Sequence, residues 1–128
     1  RWRIYGTQTY STDRYSVTLT QRYVSPGVIA NNWIECTANC PAPTINHPTV
    51  NDNHIKGALY WDLGGSYEIG SRDTGAHSQI FFKIDNLFNL DPPKVATAGI
   101  NPYLVRATNS ALYDLLGRTY RLGVRFSF

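Results

Sequence analysis

Arg118 to Phe128 reads R-T-Y-R-L-G-V-R-F-S-F, and its reading decides the fold. Tyr120, Leu122, Val124, Phe126 and Phe128 alternate with Thr119, Arg121, Gly123, Arg125 and Ser127. Successive side chains of a strand point to opposite faces, so this period of two predicts a strand with one oily and one wet side. A soluble sheet would lay the oily side on a core. A transmembrane barrel would turn it to lipid and the polar side to the lumen.

The same split recurs upstream. Residues 1–10 set Trp2, Ile4, Gly6, Gln8 and Tyr10 against Arg1, Arg3, Tyr5, Thr7 and Thr9. Residues 15–25 set Tyr15, Val17, Leu19, Gln21 and Tyr23 against Ser16, Thr18, Thr20, Arg22 and Val24. In 54–69, Leu59, Trp61, Leu63, Tyr67 and Ile69 oppose Tyr60, Asp62, Gly64, Ser66 and Glu68; in 77–88, Ile80, Phe82 and Ile84 oppose Gln79, Phe81, Lys83 and Asp85. Gln8, Gln21 and Asn86 interrupt the oily side. No segment has helical periodicity. The expected fold is all-β, an antiparallel up-and-down meander of five strands at about 1–10, 15–25, 54–69, 77–88 and 118–128.

The connections choose between the two uses of that meander. Residues 11–14 and 70–76 are short links, the second with the turn chemistry of Ser71-Arg72-Asp73-Thr74-Gly75. Residues 26–53 and 89–117 are long and rich in Pro and Asn. Short turns alternating with long loops are the pattern of an outer-membrane barrel, whereas a compact soluble domain rarely carries two structureless loops of that size. Ten residues rising ~3.3 Å each and tilted ~40° span about 25 Å, the height of the apolar band. Trp2, Tyr10, Tyr15, Tyr23, Tyr67 and Phe128 stand near strand ends on the oily side, where an interfacial aromatic girdle would place them. The sheet is therefore expected to be part of a transmembrane β-barrel, with 26–53 and 89–117 as its extracellular loops.

Composition bounds the remaining classes. The 128 residues suffice for one domain, and the formal net charge of +3 is scattered, so no nucleic-acid partner is expected. No apolar run approaches the ~20 residues of a membrane helix. Methionine is absent even at position 1, and Arg1 already lies in a strand pattern, so a fragment lacking its N-terminal part is expected. Cys36 and Cys40, in E-C-T-A-N-C-P, are expected to form a small loop disulfide in an oxidising compartment. A metal reading would need Glu35, His47 or His54 as further ligands, and no recognised spacing links them; no metal site and no cofactor are expected.

Two phrases point to a family. Ile84 to Pro93 reads I-D-N-L-F-N-L-D-P-P, and Tyr113 to Phe128 reads Y-D-L-L-G-R-T-Y-R-L-G-V-R-F-S-F. Together they resemble the carboxyl-terminal end of TonB-dependent outer-membrane receptors. In that family the penultimate strand ends in an Asn-Leu-Phe-Asp/Asn phrase, here Asn86 to Asn89. A Gly-Arg pair and an aromatic introduce the last strand, here Gly117, Arg118 and Tyr120, and it closes on a terminal Phe, here Phe128. The resemblance implies a barrel of about 22 strands with a plugged lumen, of which this chain supplies the last five strands. It implies the outer membrane of a Gram-negative cell, energy-coupled uptake of a scarce nutrient (a siderophore, cobalamin or a glycan), and coupling to TonB through a plug absent from this chain. Outer-membrane lipid and the barrel assembly machinery are the further partners, the latter reading Tyr120, Leu122, Val124, Phe126 and Phe128. Trp33, His47, His54, Tyr103 and Arg106 are candidates for the ligand side of the loops, because aromatics and cations suit such ligands.

No enzyme is expected. The polar-side charges Asp62, Glu68, Lys83, Asp85, Arg121 and Arg125 spread over three strands, and no phosphate loop, Gly-x-Ser-x-Gly or Cys/His nucleophile arrangement occurs. The alternatives are a small soluble β-barrel or sandwich that binds an apolar ligand, and a porin or adhesin barrel independent of TonB.

Overall fold

The computed structural model describes residues 2–70, 77–94, 108, 109 and 111–127. Expectations for Arg1, the turn at 71–76, Tyr103, Arg106 and Phe128 lie outside the described residues. Nine strands and no helix occur among the described residues: β1 (Arg3–Ser11), β2 (Tyr15–Val24), β3 (Gly27–Val28), β4 (Ile34–Glu35), β5 (Thr49–Val50), β6 (His54–Ile55), β7 (Ala58–Gly70), β8 (His77–Asp85) and β9 (Thr119–Ser127). Five of them form one antiparallel sheet in the order β1-β2-β7-β8-β9, the expected meander. The sheet is open, with β1 and β9 as its edges.

Register carries the alternation of each strand across the whole sheet. Ile4 faces Tyr23, Tyr23 faces Leu59, Leu63 faces Ile84 and Ile84 faces Tyr120. The oily side chains thus share one continuous face, since a slip of one residue anywhere would throw a strand's set to the other side. That face has no covering layer among the described residues. Leu122 is 79% exposed, Phe126 64% and Ile4 60%. Gln8 and Gln21, which interrupt it, bond to each other through Gln21 Nε2 and Gln8 Oε1 at 3.2 Å. Two glycines are covered by rings from the neighbouring strand: a Cβ on Gly65 would fall 2.6 Å from the Phe82 ring, and one on Gly123 would fall 2.3 Å from the Phe81 ring. Gly65 sits on the oily face and Gly123 on the wet one, so each face has one glycine whose missing side chain is replaced by a ring from the next strand.

The core sits at one end of the wet face. Val24, Ile55, Ala58, Tyr60 and Tyr113 are buried together, with Ile29 and Leu112 packed against them. This is the end from which both long connections leave. At the opposite end β1 turns into β2 through Thr12, whose Oγ1 accepts the Tyr15 N–H at 3.2 Å while its own N–H reaches the Tyr15 carbonyl at 2.8 Å.

Three expected boundaries are corrected. The strand expected over 54–69 is two elements, β6 and β7. Pro26 has no N–H to donate, so the β2–β7 ladder ends at Val24 and Ala58, and the chain re-pairs one step on as Gly27 with Ile55. Gly57 fits the step because a Cβ there would lie 3.0 Å from the Val24 carbonyl oxygen. The strand expected over 77–88 ends at Asp85, because Asn86 (φ 53°) and Asn89 (φ 52°) take left-handed backbone and make a turn. The connection 26–53 is not structureless: β3 pairs with β6, β4 pairs in parallel with β5, and Cys36 is joined to Cys40 in a disulfide with Cα atoms 5.6 Å apart.

Candidate functional site

The wet face carries its charges in a row where the sheet meets the long connections. Arg22 on β2 grips Asp62 on β7 with two hydrogen bonds, Nε to Oδ2 at 2.9 Å and Nη2 to Oδ1 at 3.1 Å. The fork of a guanidinium matches a carboxylate, so this pairing fixes both side chains. The guanidinium also lies 5.3 Å from the centre of the Tyr60 ring. Asp62 Oδ1 accepts a third bond, from the Asn86 N–H at 2.9 Å. Asp62 stands on the polar side as expected, but it is buried there and accepts three hydrogen bonds. One strand along, Asp85 binds Lys83 Nζ at 2.9 Å, Arg121 Nη2 and Thr119 Oγ1. Lys83 and Arg121 share this single carboxylate, so signs alternate along the row from Arg22 to Arg121. Glu68, farther down β7, accepts from Gln79 Nε2 at 2.6 Å. The row lines a groove of about 690 Å³ with Tyr5, Thr20, Asp114 and Leu116. Its chemistry is that of a polar, hydrogen-bonding wall.

Asn86 joins this row to the loop. It is fully buried, and its amide pairs with the main chain of Leu90 in both directions, Nδ2 to the Leu90 carbonyl at 3.0 Å and Oδ1 from the Leu90 N–H at 2.8 Å. Three residues on, Asn89 Oδ1 accepts the N–H of Arg118 at 2.9 Å. Gly117 (φ +71°) makes that approach possible, since a Cβ there would lie 3.0 Å from the same oxygen. The Asn86–Asn89 phrase and the Gly117–Arg118 pair, far apart in sequence, are therefore one junction: the end of β8 holds the start of β9. Phe88 leaves this turn for the oily side, where it meets Trp61 edge-on at 6.4 Å.

The loop candidates are brought together only in part. Trp33 is half-buried. His47 is held apart, its Nδ1 3.0 Å from the Asn32 carbonyl oxygen. His54 Nδ1 lies 2.9 Å from Glu35 Oε2 and 3.6 Å from Asp52 Oδ1. Sequence reasoning passed over Asp52 and could not join Glu35 to His54. The signal that joins them is the β4–β5 pairing, which sets Glu35 beside Val50, and no spacing rule reports it.

No protein-family model, curated protein or solved structure matches this chain.

Proposed function

We propose that the chain is the C-terminal barrel segment of a TonB-dependent receptor in a Gram-negative outer membrane. It closes the barrel, offers the two long connections as ligand-side loops, and carries the assembly signal ending at Phe128. The whole receptor would take up a scarce nutrient of the siderophore, cobalamin or glycan class, energised by TonB through a plug outside this chain. The observation that carries the reading is which face is buried. The buried residues of the main sheet, Val24, Ala58, Tyr60 and Asp62, lie on its polar side, while the oily side stays uncovered from Ile4 on β1 to Phe126 on β9. In water a patch of that breadth would be covered by a partner or by aggregation, and lipid covers it without either. The edges give second support: β1 and β9 each present an unpaired row of backbone groups among the described residues, as strands within a larger barrel would.

The test is fractionation of cells making the full-length protein, joined to nutrient uptake with and without TonB. The reading expects an outer-membrane protein whose gel mobility changes on heating, and uptake that is lost with TonB. Recovery as a monodisperse, detergent-free monomer would support the soluble alternative. An outer-membrane protein whose uptake ignores TonB would support the porin.

A further inference from the structure

We propose that Glu35, Asp52 and His54 form a binding site for a first-row divalent transition metal such as Zn²⁺. The three groups come from three separate places, the end of β4, the bend after β5 and the start of β6. Their ligand atoms nevertheless lie within 4.8 Å of one another. His54 Nδ1 stands between the two carboxylates, 2.9 Å from Glu35 Oε2 and 3.6 Å from Asp52 Oδ1. Neighbouring ligands at ~2.1 Å from one tetrahedral ion are roughly 3.4 Å apart. The two His54 contacts lie within about half an ångström of that spacing, and all three donors are near enough to converge on one ion.

Each carboxylate is also held by the main chain, at the same oxygen that faces His54 Nδ1. Glu35 Oε2 accepts the Asn53 N–H at 3.2 Å, and Asp52 Oδ1 accepts the His54 N–H at 2.8 Å. Such hydrogen bonds to the ligands are what fix them in metal sites. The loop is tied on both sides. Asn53 is buried and bonds to Ala30 through both ends of its amide, Nδ2 to the Ala30 carbonyl at 2.9 Å and Oδ1 from the Ala30 N–H at 3.2 Å. The Cys36–Cys40 disulfide begins one residue after Glu35. The imidazole nitrogen selects Zn²⁺, Ni²⁺ or Cu²⁺ over Ca²⁺ and Mg²⁺, which prefer oxygen alone. Two carboxylates and a neutral imidazole balance a divalent charge. All three side chains are exposed, which leaves room for water at the remaining positions. The ligands belong to the loop and would hold an ion whether or not the sheet spans a membrane.

The experiment is titration of the full-length protein, purified in detergent and stripped with chelator, with Zn²⁺ by calorimetry and with Co²⁺ by its visible absorption. The expected result is one equivalent bound, with the absorption of a Co²⁺ ion directly ligated by nitrogen and oxygen. Glu35→Gln and His54→Gln should each weaken binding by roughly 100-fold. His47→Gln should leave it unchanged, and excess Ca²⁺ should not displace the ion. Asp52→Asn provides a second ligand deletion, and circular dichroism of every variant separates lost ligation from lost folding. Binding that survives His54→Gln in a folded protein, binding that yields to Ca²⁺, or no stoichiometric binding would overturn the proposal.

Discussion

Asn86→Ala should be among the most damaging small substitutions in the chain. Asn86 is fully buried, and its amide makes two hydrogen bonds to Leu90. Losing them costs about 1 kcal/mol each, more where the Leu90 groups stay out of water. The residue also holds φ at 53°, which Asn tolerates and Ala does not, at a further cost of about 1–2 kcal/mol. The sum is roughly 3–4 kcal/mol. The assay is urea unfolding of the full-length protein in lipid vesicles, followed by tryptophan fluorescence. Asn86→Gly separates the two causes, because glycine keeps the left-handed backbone and loses only the amide. It should be milder than Asn86→Ala by about 1 kcal/mol. An alanine variant as stable as the parent, or a glycine variant no milder than alanine, would refute the reasoning.

Other outcomes follow from the two faces. Leu63 lies beside the middle of β7 on the oily face, and Arg there should cost about 2–4 kcal/mol in the same assay. Gly64→Arg, one residue on and on the wet face, should cost little, because a Cβ at Gly64 meets nothing nearer than 3.7 Å; equal costs would contradict the assigned faces. Asp62 is unsuitable as that control, since Arg22 and the Asn86 N–H would lose their partner. Deleting Phe128 should lower the outer-membrane level of the full-length protein sharply while the assembled fraction keeps its heat resistance, as removal of one ring costs at most ~3 kcal/mol. An unchanged level on immunoblots of outer-membrane fractions would remove the assembly-signal assignment.

Period-two alternation was legible because each strand of the main sheet has one apolar face, and that contrast fixes which face each residue takes. The turn at Asn86 was not. Its side chain reads as a polar interruption of a strand, and only the positive φ and the Leu90 pairing reveal a strand end. The step between β6 and β7 was likewise hidden, since it depends on Pro26 facing the partner strand, and Gly57, which admits the close approach, reads in 54–69 only as one more small residue. Of the candidate site, the charges on the wet face were visible as types but not as partners. Arg22, the residue that grips Asp62, was placed on its strand face but not counted among the site charges. The Glu35–Asp52–His54 cluster needs the parallel β4–β5 pairing within the long loop, and parallel pairs leave no local sequence signal.

The central claim is that the oily face meets lipid, and its most direct test is spin-label accessibility in the full-length protein reconstituted into bilayers. Single labels at Leu122 and Val124, and at Arg121 and Arg125, sample the two faces of β9 at nearly the same depth. Labels at Leu122 and Val124 should collide readily with oxygen, which concentrates in lipid, and poorly with a water-soluble nickel chelate. Labels at Arg121 and Arg125 should lack that preference for oxygen. The same accessibility on both faces, or chelate access at Leu122 and Val124, would contradict the account.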